Sequence, residues 1–115
     1  MLNITDHDNR IREIQLARPP VNALSLELLR ALGSAIDESV RDGMRGIVLS
    51  GAKGLFSAGV DVPALLARDR AGVREYWREL FALCGTLARV PVPVVAAVTG
   101  HSPAGGAVLA LFCDY

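Results

Sequence analysis

The chain contains 115 residues, with 12 basic and 12 acidic side chains, and therefore carries no formal net charge. Balanced charge argues against nucleic acid as a partner, because phosphate binding needs an excess of basic side chains. A hydrophobic fraction of 51% excludes a disordered chain, and the length limits the fold to one domain. Composition thus points to a small globular unit with a real core.

The cysteines and the N-terminus bear on the compartment. Cys84 and Cys113 lie in apolar stretches without the spacing of a disulfide framework or a metal site, which favours a reducing compartment. Asp6 and Asp8 are not typical of a signal or transit peptide. We expect a cytoplasmic protein, with the mitochondrial matrix as the alternative.

The first half of the chain predicts a strand, a helix and a second strand. Weak alternation over residues 11–17 indicates the first strand. Ser25 can cap the helix that follows, and Asp42-Gly43 can end it. The apolar triplet within residues 46–50 is typical of a buried parallel strand.

The second half continues the alternation. The predicted elements are a small-residue loop over 51–61, a helix over about 70–89, a strand over 93–98, a loop over 100–106 and a helix beginning at 107. Trp77 lies at helical spacing from Val73 and Leu80, which favours a place in the core. Strands alternating with helices predict an α/β layered fold.

Residues 90–115 form an unusually apolar segment. They contain no Asp, Glu, Lys, Arg or His other than His101 and Asp114. Three prolines and three glycines within the segment exclude a membrane-spanning helix. We therefore expect it to be buried in protein, and expect residues 1–115 to be the N-terminal part of one longer domain or to contact other chains tightly.

Two glycine-bearing loops, 51–61 and 100–106, each follow a buried strand and lead into a helix. Amides in the first turn of a helix have no partner within the helix and attract anions, and glycine allows close approach. Two such loops could hold one developing oxyanion between them. By spacing alone, ordinary tight turns are the favoured explanation of both loops. Neither loop has a nucleotide-binding pattern, and the isolated His7 and His101 do not indicate a metal site.

Both loops resemble motifs of the crotonase, or enoyl-CoA hydratase/isomerase, superfamily. Phe56-Ser57-Ala58-Gly59-Val60-Asp61 resembles the motif F-x-A-G-x-D, and residues 100–106 with Cys113-Asp114 resemble the second glycine-rich motif. The likeness extends from residues 20–25 onward through nearly all of the chain. Pro-Ala-Gly-Gly together with Ala-Leu-Phe-Cys-Asp-Tyr is most similar to mitochondrial-type Δ3,Δ2-enoyl-CoA isomerases.

The resemblance implies a crotonase-like α/β fold of repeated ββα units, of which residues 1–115 would form the N-terminal part. It implies an oxyanion hole made by the backbone amides of Val60 and Gly105. The residues that it places along the acyl-CoA path are Ala23, Ser57, Ala58, Gly59, Asp61 and Gly106. For Asp61 a purely structural place as a helix N-cap is an equal alternative. The resemblance further implies a homotrimer or dimer of trimers, and neither metal nor separate cofactor, since CoA is part of the substrate.

One departure from the family pattern bears on the reaction. Hydratases carry a catalytic glutamate three residues after the glycine matched by Gly105, and here that position is Val108. The isomerases use a single glutamate that comes later than Tyr115. The expected reaction is therefore conversion of 3-enoyl-CoA to 2-enoyl-CoA by the full-length protein, with the base outside this part. Alternatives are a noncatalytic acyl-CoA-binding or assembly module, or another family activity such as hydratase or thioesterase.

Overall fold

The structure, a computed structural model, describes residues 1–115 as one four-stranded sheet, two short ladders and four α-helices. The elements in chain order are β1 (Leu2–His7), a 3-10 turn (Asp8–Arg10), β2 (Ile11–Leu16), β3 (Ala23–Leu24), α1 (Leu26–Arg41), β4 (Gly46–Ser50), β5 (Gly54–Leu55), β6 (Gly59–Val60), α2 (Val62–Leu66), α3 (Arg70–Arg89), β7 (Val94–Ala97), β8 (Gly100–His101) and α4 (Gly105–Phe112). None of the helices combines the length and the apolar character needed to cross a membrane.

The main sheet has the strand order β1-β2-β4-β7. Strands β2, β4 and β7 are parallel, as the buried apolar triplet of β4 predicts, and Leu49 of β4 lies between Ile14 and Ala96. Strand β1 pairs with β2 in antiparallel fashion and was not predicted. Its side chains are exposed apart from the half-buried Leu2, so it carries little of the apolar alternation that marks a strand.

Helix α1 follows its sequence signals closely. The Ser25 hydroxyl accepts a hydrogen bond from the Leu28 amide at 3.1 Å and so caps the first turn. At the other end, Gly43 takes the left-handed conformation, with φ +74°, just after the Asp42 cap. The buried face of α1 consists of Leu26, Leu28, Leu29, Leu32, Ile36 and Ser39. The predicted bounds of this helix are confirmed.

Helix α3 corrects one prediction about the core. Trp77 is 37% exposed and stacks on the exposed Phe81, whereas its neighbour Tyr76 is only 2% exposed. The buried residues of α3 are Tyr76, Leu80, Leu83, Cys84 and Leu87, which recur at helical spacing from Tyr76. The prediction that Trp77 lies in the core is wrong, because the tryptophan is one position beyond this stripe.

The apolar segment 90–115 is only partly buried. Val94 and Leu109 are completely buried, but Leu111 is 83% exposed and Tyr115 is 90% exposed. Residues 1–115 therefore cover this segment only in part, and its cover by further protein stays a prediction. Composition shows that a segment avoids charge, but it does not show which part of the molecule covers it.

Candidate active site

The two glycine-bearing loops leave the same edge of the sheet side by side. Strands β4 and β7 are parallel neighbours, with Ser50 beside Ala97, so both chains emerge at their carboxyl ends. Beyond the sheet they pair again, as β5 with β8, and the Phe56 amide donates to the His101 carbonyl at 2.8 Å. Ligands of parallel sheets bind at this edge. Parallel order therefore explains why loops distant in sequence share one site.

The loops meet a second time at Gly59 and Gly105. A Cβ atom built on Gly105 would lie 3.1 Å from Gly59 Cα and 3.2 Å from the Val60 nitrogen. Gly59 also has φ +92°, which favours glycine. Two small residues thus allow two backbones to come into direct contact.

The direction of the amides around Val60 follows from their partners. The Gly59 amide donates to Ser57 Oγ at 3.0 Å, and the Asp61 amide donates to the Leu24 carbonyl at 3.4 Å. The Val60 amide lies between these two amides, each of which is held by a hydrogen bond within the protein. Gly105 lies beside the Val60 nitrogen.

Gly105 is the first residue of α4. Its amide therefore has no acceptor within the helix and lies at the positive end of the helix dipole. If the Val60 and Gly105 amides both face the site, they can hydrogen-bond one oxygen atom on which negative charge develops. This is the chemistry that the arrangement permits.

The other predicted site residues surround this meeting point. Ala23 pairs with Gly59 in the β3–β6 ladder, and the Ala58 amide donates to the Val21 carbonyl at 2.9 Å. Gly106 is buried, and a Cβ atom there would come within 2.4 Å of the Ser57 carbonyl oxygen. These residues are brought together by their backbones.

The side chain of Asp61 is fully engaged within the protein. It accepts a hydrogen bond from the Ala64 amide at 3.3 Å, which caps α2, and it forms an ion pair with Arg18 at 2.9 Å. Only 12% of the side chain is exposed. The N-cap alternative is thus confirmed, while contact with acyl-CoA stays a prediction.

Sequence reasoning missed Asn22. This residue is 3% exposed and has φ +51°. Its side chain accepts from the Arg18 amide at 2.8 Å and donates to the Phe56 carbonyl at 3.0 Å, so it ties the segment before β3 to the first loop. The available signal was a polar residue within the otherwise apolar stretch Val-Asn-Ala-Leu. An amide side chain buried in such a stretch must form hydrogen bonds with the protein.

Sequence reasoning also missed Tyr76 of α3, which forms a hydrogen bond with β3 next to the site. Its hydroxyl donates to the Leu24 carbonyl, the atom that also receives the Asp61 amide. Burial raises the pKa of this phenol above its ordinary value. Tyr76 therefore stays protonated and holds β3 in place.

Comparison with known proteins identifies the family. The enoyl-CoA hydratase/isomerase family profile matches residues 6–115. This chain belongs to the enoyl-CoA hydratase/isomerase family.

Individual members of the family give a finer picture. The chain is 40% identical over 104 residues to mitochondrial enoyl-CoA delta isomerase 1 of Mus musculus, covering 89% of this chain and 36% of the mouse protein. It is 42% identical over 97 residues to a putative enoyl-CoA hydratase of Thermus thermophilus, covering 81% of this chain and 38% of that protein. Both isomerases and hydratases are therefore among its relatives.

The fold comparison agrees. The crystal structure of human mitochondrial delta3-delta2-enoyl-CoA isomerase superposes with a TM-score of 0.93 at 33% identity, covering 99% of this chain and 45% of that one. The predicted crotonase-like α/β fold is confirmed. The chain spans less than half of the length of each of these relatives.

Proposed function

We propose that this chain supplies the oxyanion hole of an enzyme that converts 3-enoyl-CoA to 2-enoyl-CoA. The observation that supports the proposal is the contact between the Gly59-Val60 and Gly105 backbones, where a Cβ atom built on Gly105 would lie 3.2 Å from the Val60 nitrogen. The similarity to delta isomerases of mouse and human supports the same reaction.

The proposed chemistry begins at the thioester carbonyl. Hydrogen bonds from the Val60 and Gly105 amides polarise this carbonyl and stabilise the enolate that forms when a base removes a proton from C2. The same base then delivers the proton to C4, which moves the double bond into conjugation. One donor of this kind contributes roughly 100- to 1000-fold to the rate.

The base is the group that residues 1–115 do not supply in this proposal. Val108 occupies the position of the hydratase glutamate, and the carboxylate of Asp61 is held by Arg18 and α2. We assign the base to a carboxylate outside residues 1–115, as the resemblance to the isomerases implies.

A hydratase is the second candidate, favoured by the similarity to the Thermus thermophilus protein. The apolar Val108 argues against it, because hydration by this family uses a pair of carboxylates. A noncatalytic acyl-CoA-binding module would use the same two amides without any base.

The remaining parts of the proposal concern partners and compartment. The ligand is an acyl-CoA thioester, no separate cofactor is needed, and the assembly is a homotrimer or a dimer of trimers, as the resemblance implies. The mouse relative is named as mitochondrial, which fits the matrix alternative better than the cytoplasm.

The test uses the protein as isolated from its cells, with two substrates. With 3-enoyl-CoA, an isomerase generates the ultraviolet absorbance of the conjugated 2-enoyl thioester. With 2-enoyl-CoA, a hydratase removes that absorbance. Appearance of absorbance from 3-enoyl-CoA supports the proposal; its loss from 2-enoyl-CoA alone supports the hydratase. Saturable binding of both thioesters without either change would identify a binding module.

A further inference from the structure

We infer that Ser57 is a positioning residue whose buried hydroxyl fixes the direction of the Val60 amide. The inference rests on the proposed function, because it matters only if that amide contacts the thioester oxygen. It assigns to the Ser57 side chain a place behind the site, in addition to any contact of its backbone with the ligand.

The Ser57 hydroxyl is bonded on both sides inside the protein. It donates to the Asn22 carbonyl at 2.7 Å and accepts from the Gly59 amide at 3.0 Å. Ser57 is 0% exposed, so water cannot replace either partner if the hydroxyl is removed. The hydroxyl therefore links the first loop to the segment that precedes β3.

The acceptor at the other end of this link is itself held in place. The Asn22 amide donates to the Arg18 carbonyl at 2.8 Å, and its side chain bonds to both the Arg18 amide and the Phe56 carbonyl. Asn22 thus donates a hydrogen bond to Phe56, the residue just before Ser57, and its carbonyl accepts one from the Ser57 hydroxyl. Together these hydrogen bonds fix the backbone of the loop around Ser57.

These hydrogen bonds matter most for the backbone conformation of Gly59. Glycine permits backbone rotations that other residues resist, and its φ of +92° lies outside the usual range. The Gly59 amide is held by Ser57 and the Asp61 amide by Leu24, so the peptide groups on both sides of the Val60 amide are fixed by hydrogen bonds. Removing the hydroxyl frees Gly59 to turn and the Val60 amide to turn with it.

The experiment compares Ser57→Ala with Ser39→Ala in the protein as isolated from its cells. Ser39 is a matched control, because it is also 0% exposed and its hydroxyl donates to the Ala35 carbonyl at 2.7 Å in α1. We expect Ser57→Ala to lower kcat about 10- to 100-fold, less than outright loss of an oxyanion donor. KM should change little, since ground-state binding is retained. Ser39→Ala should keep the wild-type kcat.

A spectroscopic measurement separates this inference from the proposed function. Hydrogen bonds to a thioester carbonyl lower its infrared stretching frequency, so bound 2-enoyl-CoA should show a lowered band in the wild type. Ser57→Ala should bind the same thioester with a smaller shift. A wild-type shift that Ser57→Ala reproduces in full, together with unchanged kcat, would overturn the inference and leave the oxyanion hole standing. Absence of any shift in the wild type would instead overturn the proposed function.

Folding is checked by circular dichroism for each variant. If Ser57→Ala does not fold, Ser57→Cys decides, because a thiol keeps one donor and one acceptor at this position but makes both hydrogen bonds weaker. We expect it to give a kcat and a carbonyl shift between those of alanine and serine. Wild-type values of both for a folded Ser57→Cys would contradict the inference.

Discussion

A Cβ atom built on Gly59 would lie 2.7 Å from the backbone nitrogen of Gly105, closer than real Cβ atoms approach. Neither loop can therefore take a larger residue at this point without moving the other. Packing therefore requires glycine at both positions, at the same point where the proposed oxyanion hole lies.

The first prediction concerns Gly105→Ala. The new Cβ would meet Leu24 Cδ1 at 3.0 Å and Gly59 Cα at 3.1 Å, so the loops must separate. We expect a stability loss of about 1–3 kcal/mol from overpacking and a fall in isomerase turnover of about 100-fold, similar to loss of an oxyanion donor. Thermal unfolding and the absorbance assay measure the two effects.

Gly33→Ala is the matched control for that change. Gly33 lies within α1, and nothing would lie within 4 Å of a Cβ atom there. Alanine should stabilise the helix by up to about 1 kcal/mol and leave turnover unchanged. Equal activity of Gly105→Ala and the wild type would remove Gly105 from the oxyanion hole.

The second prediction concerns Val108→Glu. Val108 lies one turn after Gly105 in α4 and is 38% exposed, so a charged side chain can be accommodated. Side chains of a helix lean toward its N-terminus, which directs the new carboxylate toward the Gly105 end. We expect a gain of 2-enoyl-CoA hydration that Val108→Gln does not show. Equal hydration by both variants would mean that the carboxylate is not the cause.

The third prediction concerns the exposed apolar residues of α3 and α4. Trp77 and Phe81 on α3 and Val108, Leu111 and Phe112 on α4 are 37% to 83% exposed. Large apolar surfaces of this kind are usually covered by protein. Residues 1–115 expressed alone should oligomerise or aggregate and bind a hydrophobic dye. A soluble monomer without dye binding in sedimentation experiments would contradict this expectation.

The fourth prediction concerns acid stability through Glu13. The Ser50 hydroxyl donates to Glu13 at 2.6 Å and His7 lies 3.0 Å away; these hydrogen bonds lower the pKa of the carboxyl below its ordinary value. A carboxylate with a lowered pKa stabilises the fold above its unfolded pKa, and this stability is lost as the pH falls through the folded pKa.

Glu13→Gln should therefore reduce the free energy of unfolding near neutral pH and flatten its dependence on pH in the acid range. Glu38→Gln, the same change at an exposed glutamate of α1, serves as the control for the loss of one carboxylate. Denaturant unfolding at a series of pH values gives both slopes. If Glu13→Gln retains the full acid dependence, another group causes it.

Sequence alone predicted the elements whose signals are local. Helix α1, strand β4 and helix α3 were predicted correctly. Their signals are the Ser25 cap, the apolar triplet 47–49 and the apolar spacing within 70–89, and each of these involves residues that are close in sequence. Strand β1 could not be found, because most of its side chains are exposed and its sequence shows little apolar alternation. Asn22 was missed for a different reason, since its importance depends on Phe56 and Ser57, which are distant in sequence.

Because the proposed donors are backbone amides, the centre of this site has no side chain to delete. Val60→Ala would keep its amide in place, and a conventional alanine scan would score position 60 as tolerant. The effects would instead appear at neighbours that contact no ligand through their side chains. In a mutational map, the reactive point would therefore be an unresponsive position surrounded by sensitive small residues.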